Sequence, residues 1–179
     1  MKYTKEWAIE AVKQGATVYP FYGHVQKGEF VDASCLSQWF PCRFTVDGVA
    51  YTTAEQFMMA EKARLFGDEE YRRLILQADD PKICKQLGRK VRGFQAETWN
   101  AHNVDIVTQG NIAKFSQNPE MKAFLLGTGN AILVEASPRD RIWGIGMGKS
   151  NPNVQNPAAW RGRNLLGFSL MEVRDQLNG

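Results

Sequence analysis

Glu55 and Lys62 are the side chains of this 179-residue chain whose types and spacing most suggest chemistry. They stand seven residues apart in Thr52-Thr53-Ala54-Glu55-Gln56-Phe57-Met58-Met59-Ala60-Glu61-Lys62-Ala63. Seven residues is about two helical turns, so in a helix both project from one face. A carboxyl group there can give or take a proton, and a lysine amine kept neutral can attack an electrophilic carbon. A plainer explanation competes: Thr52-x-x-Glu55 fits a capping box, with Lys62 on a solvated surface. A second stretch, Asp140-Arg141-Ile142-Trp143-Gly144-Ile145-Gly146-Met147-Gly148, sets an acid before a tryptophan and three alternating glycines. Glycines let backbone N–H groups approach phosphate oxygens, and an indole face stacks on a planar base. The stretch is not a dinucleotide fingerprint, because no strand-turn-helix pattern follows. Asp140 equally suits a turn after Ser137-Pro138, and Trp99 and Trp143 equally suit a core. Phe21 and Gly23 place an aromatic beside a backbone that a ligand can approach, or simply belong to packing. Asn164 either caps the last helix or meets a ribose. Arg89, with Lys85, Lys90 and Arg92, forms the densest basic group, suited to phosphate or to a solvated face.

These residues need elements to hold them. Asp47-Gly48 is a two-residue hairpin turn between Phe44 and Val46 on one side and Val49 and Tyr51 on the other. A helix opens from this hairpin, capped by Thr52 or Thr53. The pattern predicts a first helix over residues 5–13, ended by Gly15, and a strand at Thr17-Val18-Tyr19 broken by Pro20. Short helices open at Asp68 and at Asp80-Pro81, and a longer one begins at Trp99, weakened at Gly110. A helix over 120–126, a β-branched strand over 131–136 and a final helix carrying Leu166, Leu170, Val173 and Leu177 complete the chain. Helices dominate and the strands do not alternate as βαβ, so the expected class is α+β: one compact domain, mainly helices around a few short strands.

Composition narrows the function. Hydrophobic residues make up 44% of the chain, which excludes a disordered protein. No apolar run is long enough to span a bilayer, and no signal peptide opens the chain, so a cytoplasmic protein without membrane contact is expected. The net charge of +3 is too small to argue for DNA binding alone. Cys35, Cys42 and Cys84 lack metal-ligand spacing and read as reduced thiols. His24 and His102 stand alone, so no metal site is expected.

An ordered set of motifs then resembles the YbiA-like, or NADAR, family. It comprises Thr53-x-Glu55-Gln56-Phe57-x-x-Ala60-x-Lys62-Ala63, Leu87-Gly88-Arg89, Trp99, Lys114-Phe115, Leu125-Leu126-x-Thr128 and Leu133-Val134-Glu135. Asp140-x-x-Trp143-Gly144-x-Gly146 and Asn164-x-Leu166-Gly167-x-x-Leu170-Met171-x-x-Arg174 complete it. The resemblance covers residues 21–179 and leaves 1–20 as an N-terminal helical extension. It implies an N-glycosidase without cofactor, acting on phosphorylated ribosyl compounds. Two substrate types are associated with the family: ADP-ribose attached to guanine, and ribosylamino-pyrimidine phosphates of early riboflavin synthesis. Catalytic and pocket positions of the family fall on Glu55, Trp99, Asp140 and Trp143, and Lys62 is matched. One departure is Gln38, where the family commonly has asparagine.

Cleaving a C–N glycosidic bond requires stabilised positive charge at the anomeric carbon, a proton for the leaving base, and a nucleophile. Glu55 and Asp140 are the expected carboxylate pair, with Lys62 as an amine able to form a Schiff base. Trp99 and Trp143 are expected to stack on the base, Phe21, Gly23, Gly144 and Gly146 to line the site, and Arg89 and Asn164 to meet phosphate and ribose. The expected partner is an ADP-ribosyl or ribosyl-phosphate substrate, including ADP-ribosylated DNA or RNA, bound by a monomer. A non-catalytic module for ADP-ribose or NAD, and a nucleic-acid adaptor built on the 85–92 group, are the competing functions.

Overall fold

The computed structural model describes residues 1–179. Its helices are α1 (Lys5–Lys13), α2 (Ala54–Leu65), α3 (Glu69–Leu76), α4 (Pro81–Gly88), α5 (Ala96–Ser116), α6 (Pro119–Gly127) and α7 (Leu165–Asn178). The strands are β1 (Val18–Phe21), β2 (Phe44–Val46), β3 (Val49–Tyr51) and β4 (Ile132–Glu135). The expected α+β class, helices with a few short strands, is the one that forms. Two compact units divide the chain: Met1–Ser37 with Glu120–Gly179, and Gln38–Pro119. No helix is long and apolar enough to cross a membrane.

In the unit Gln38–Pro119, β2 and β3 pair antiparallel, with Val46 opposite Val49. Asp47 and Gly48 both take positive φ, 49° and 78°, as the two-residue turn requires. The hairpin leads into α2, which packs against α3, α4 and α5. Residues 54–60 and 63 of α2 are buried, so apolar and polar positions alike face protein. Phe57 is the junction: its ring lies 5.1 Å from that of Tyr51 and 6.2 Å from that of Phe44. Gly110 of α5 lies directly against it, since a Cβ at 110 would come 2.5 Å from Phe57 Cδ1. The sequence expectation treats Gly110 as a weak point; the structure uses it as a point of close approach. α5 also begins earlier than expected, leaving Trp99 in its first turn.

In the other unit, β1 and β4 pair parallel, Val18 with Ile132 through Phe21 with Glu135. The expected break at Pro20 does not occur. β1 has only β4 beside it, so a residue without an N–H is tolerated on its outer edge. β1 thereby runs across the expected boundary at residue 20, while α1 packs near Pro157–Ala159, and Lys5 Nζ donates to the Trp160 carbonyl at 2.7 Å.

α7 lies on β4. Asn164 precedes it in the left-handed conformation, φ 54°, and makes no side-chain cap bond. Its amide instead bridges β4: Nδ2 donates to the Leu133 carbonyl at 2.9 Å, and Oδ1 accepts from the Glu135 N–H at 3.0 Å. The capping alternative for Asn164 is therefore replaced by a clamp between strand and helix. Gly167 allows that closeness, because a Cβ there would stand 2.1 Å from the Leu133 carbonyl oxygen.

Alanine normally gains about 1 kcal/mol over glycine in a helix. At Gly167 the obstacle is backbone rather than a movable side chain, so overpacking dominates. Gly167→Ala is expected to lower stability by about 1–3 kcal/mol, read as a reduced denaturation midpoint with unchanged slope. An unchanged or raised midpoint would mean that α7 does not press on β4.

Candidate active site

The start of α2 decides between the two readings of Glu55. Thr53 is the N-cap, its hydroxyl accepting from the Gln56 N–H at 3.0 Å. The reach back over the cap is made by Gln56, whose Oε1 accepts from the Thr52 N–H at 2.8 Å. Gln56 thus fills the third helical position that the capping-box reading gave to Glu55. The Glu55 N–H donates to the Gln38 carbonyl at 2.9 Å, and the residue is 7% exposed. Its carboxyl group is therefore buried without being the cap.

Lys62 follows two turns later, half-buried. Its ammonium lies 4.6 Å from the centre of the Phe94 ring and 5.5 Å from that of Trp99. Burial lowers its pKa, the positive charge of Arg89 adds to the lowering, and Glu55 opposes it. An amine in this setting gives up its proton more readily than a solvated lysine. Arg89 itself is exposed, and Trp99 is buried. One unit thus brings Glu55, Lys62, Arg89 and Trp99 into electrostatic or ring contact around α2. The rest of the basic group is largely engaged. Arg92 is held by Asp68 and by Glu70, at 2.6 and 2.7 Å, and Lys85 lies over the Trp39 ring.

In the other unit, the turn after β4 gathers the remaining acids. Asp140 Oδ1 accepts from the N–H groups of Ile142 and Trp143, both at 2.8 Å, and the Asp140 carbonyl accepts from Gly146. Asp140 therefore shapes this turn, as the turn alternative anticipated. Gly144 and Gly146 are buried in it. A Cβ at 144 would meet the carbonyl oxygens of Glu135 and Asp140 at 2.9 and 3.0 Å. Their small size serves packing of the turn; only Gly148 of the three has open space at its Cβ position. Trp143 is half-buried, and Phe21 is wholly buried at the end of β1. Gly23 takes φ 93° with open space around it.

Glu135 is the acid that sequence reasoning passed over. It ends an apolar strand, and that contrast of charge against Ile132-Leu133-Val134 was the available signal. Its N–H is taken by Asn164 and its carbonyl by the Ile145 N–H, so both backbone polar groups are engaged. Its Oε2 is buried without a hydrogen-bond partner within the protein. Burial first, and the nearby Asp140 charge second, push its carboxyl up to about 8, against a smaller opposing pull from Lys149.

The NADAR domain family matches residues 21–178. The chain belongs to the NADAR family. A mimivirus relative from Acanthamoeba polyphaga mimivirus, N-glycosidase R617, is 43% identical over 163 residues, 88% of this chain and 95% of that one. N-glycosidase YbiA of Escherichia coli K12 is 32% identical over 161 residues, 90% of this chain and 89% of that one. The solution structure of E. coli YbiA matches with a TM-score of 0.73 at 30% identity, over 90% of this chain and 85% of that one. A Vibrio vulnificus protein named riboflavin biosynthesis protein VVA0006 is 31% identical over 142 residues, 79% of this chain and 35% of that one. Because the NADAR match runs from β1 into α7, both units of this chain belong to the domain.

Glu135 predicts a pH signature. Between its ordinary 4.5 and about 8, the folded chain keeps a proton that the unfolded chain has released. Raising pH through that window then favours unfolding. Wild-type thermal midpoints should fall from pH 5 to pH 8 relative to those of Glu135→Gln, the gap opening with pH. A constant gap would show an ordinary carboxylate at this position.

Proposed function

We propose that this NADAR domain is an N-glycosidase whose substrate is ADP-ribose joined to guanine, in nucleotide or nucleic acid, and that it releases the base. The observation that carries this reading is the arrangement on α2: a buried carboxyl at the helix entrance and, two turns on, an amine of lowered basicity against the faces of Phe94 and Trp99.

The chemistry follows from those groups. Glu55 donates a proton to the base nitrogen as the C–N bond breaks, and the bonding electrons leave with the base. Positive charge at the anomeric carbon is shared with the ring oxygen. The neutral amine of Lys62 adds to that carbon, one of its protons passes to the ring oxygen as the ring C–O bond breaks, and an iminium results. Water, deprotonated by Glu55, adds to the iminium carbon; the sugar hydroxyl then recloses on that carbon as the C–N bond breaks, its proton returning to the departing amine. The proton given in the first half is recovered in the second. Trp99 stacks on the base and keeps the amine dry. Arg89 lowers the basicity of Lys62 and meets phosphate. In the other unit, Asp140 holds the glycine turn through the Ile142 and Trp143 N–H groups, and Gly144 and Gly146 are packed within it.

Guanine-linked ADP-ribose is favoured over a ribosylamino-pyrimidine phosphate because two aromatic rings, Trp99 and the exposed Phe94, flank the Lys62 amine and give a bicyclic base an apolar surface beside it. The riboflavin-pathway intermediate is the second reading, favoured by the name of the Vibrio relative. Incubating the protein separately with both substrates and following free base by chromatography tests the choice. Release only from the pyrimidine compound would replace the first reading with the second.

Glu55→Gln should lower kcat by about 10²- to 10⁴-fold while ligand binding, read by calorimetry, persists. Unchanged turnover in that variant would remove Glu55 from the reaction. Borohydride added during turnover should leave a sugar-derived mass on a peptide containing Lys62, and none in Lys62→Met. Full activity of Lys62→Met, or an unlabelled peptide during turnover, would leave only direct attack by water.

A further inference from the structure

Five buried side-chain polar atoms find no hydrogen-bond partner within the protein: Gln38 Nε2, Arg72 Nε, Thr108 Oγ1, Asn111 Oδ1 and Glu135 Oε2. Two of them, those of Gln38 and Asn111, belong to one hydrogen-bonded pair, and Thr108 stands on the same helix as Asn111. Asn111 Nδ2 donates to Gln38 Oε1 at 2.8 Å and to the Val107 carbonyl at 2.8 Å. Thr108 lies one turn before Asn111 on α5. All three side chains are more than nine-tenths buried, at 9%, 8% and 0% exposure for Gln38, Thr108 and Asn111.

An ordinary buried amide pair satisfies its atoms or is replaced by apolar residues, because an unpaired buried donor or acceptor is costly. Here each amide spends one end on the other and leaves its second end unmatched. The two loose ends are a donor, Gln38 NH2, and an acceptor, Asn111 C=O, with a hydroxyl that serves as either. An anion placed there would face the Asn111 oxygen, and a cation would face the Gln38 amide hydrogens. The complementary group is neutral and both donates and accepts, which describes a hydroxyl or the water it would displace. The backbone ties the cluster to the chemistry, since the Gln38 carbonyl accepts the Glu55 N–H.

We propose that Gln38, Asn111 and Thr108 form a buried polar subsite that binds a hydroxyl of the ribose whose bond to the base is cleaved. The proposal rests on the reading of Glu55 given above. The amides bind and orient the sugar; they take no proton from it.

The test compares wild type with the double variant Gln38→Met/Asn111→Leu, on ADP-ribosyl-guanine and on analogues with either hydroxyl of the guanine-linked ribose replaced by hydrogen. Wild type should lose on the order of 100-fold or more in kcat/KM on one deoxy analogue. The double variant should be equally slow on the parent compound and indifferent to that hydroxyl. It should melt at the same temperature as wild type or higher, because apolar side chains replace unmatched polar atoms. A double variant that melts lower and still discriminates the hydroxyl would make the amides ordinary core and overturn the proposal. So would discrimination that moves to the base, seen with 1-methylguanine in place of guanine. If wild type releases no base from any compound, the functional reading fails separately. Calorimetric titration of both proteins with ADP-ribose and its deoxy forms then reads the subsite alone. The same loss on one deoxy form, absent in the double variant, supports it, and equal heats throughout overturn it.

Discussion

A helix must dispose of its first free N–H groups, and the way α2 does so determines what Glu55 is available for. Thr53 takes one from Gln56, and the Gln38 carbonyl takes the one from Glu55 itself. Gln56 turns its oxygen back to Thr52 and its amide hydrogens outward to the carbonyls of Ile75 and Ala78, at 3.1 and 2.9 Å. One glutamine therefore closes the helix start and anchors the end of α3. Because these polar needs are met by neutral groups, Glu55 is not the side chain that closes the helix start. The rest of α2 can then be buried almost all round, which keeps Lys62 from full hydration.

The other unit solves a related problem at the end of β4. A two-stranded parallel sheet leaves many backbone groups without strand partners. Asn164 supplies the missing pair on the edge away from β1, and the Ile145 N–H reaches the Glu135 carbonyl along that same edge. The left-handed backbone at Asn164 and the small Gly167 are what let α7 come close enough. Glu135 is consequently held with its carboxyl buried beside Asp140, where the protonated form is favoured.

Much of this was readable from residue order. The hairpin at Asp47-Gly48, the helix that opens from it and the α+β class follow from turn chemistry and periodicity. The face shared by Glu55 and Lys62 follows from spacing alone. Other features depend on partners distant in sequence. Nothing near Pro20 announces that its only strand neighbour is Val134, and nothing near Gly110 announces Phe57. The capping box was placed one residue early because Thr52 and Thr53 both fit, and Gln56 serves as well as Glu55 at the third position. Gly144 and Asn164 are ambiguous for a like reason. Glycine and asparagine suit both ligand contact and tight packing, and only the neighbouring backbone distinguishes them.

The parallel pair β1–β4 joins Val18 to Ile132, while Gln38–Pro119 is an uninterrupted stretch lying between the two halves of the other unit. On the ribosome, the inner stretch is complete before the partner of β1 has been translated. Phe21, wholly buried in the finished molecule, must wait in the nascent chain for residues more than a hundred positions downstream. Pairing of β1 therefore waits on the synthesis of residues 132–135, which gives this contact a high sequence separation, the kind that slows folding.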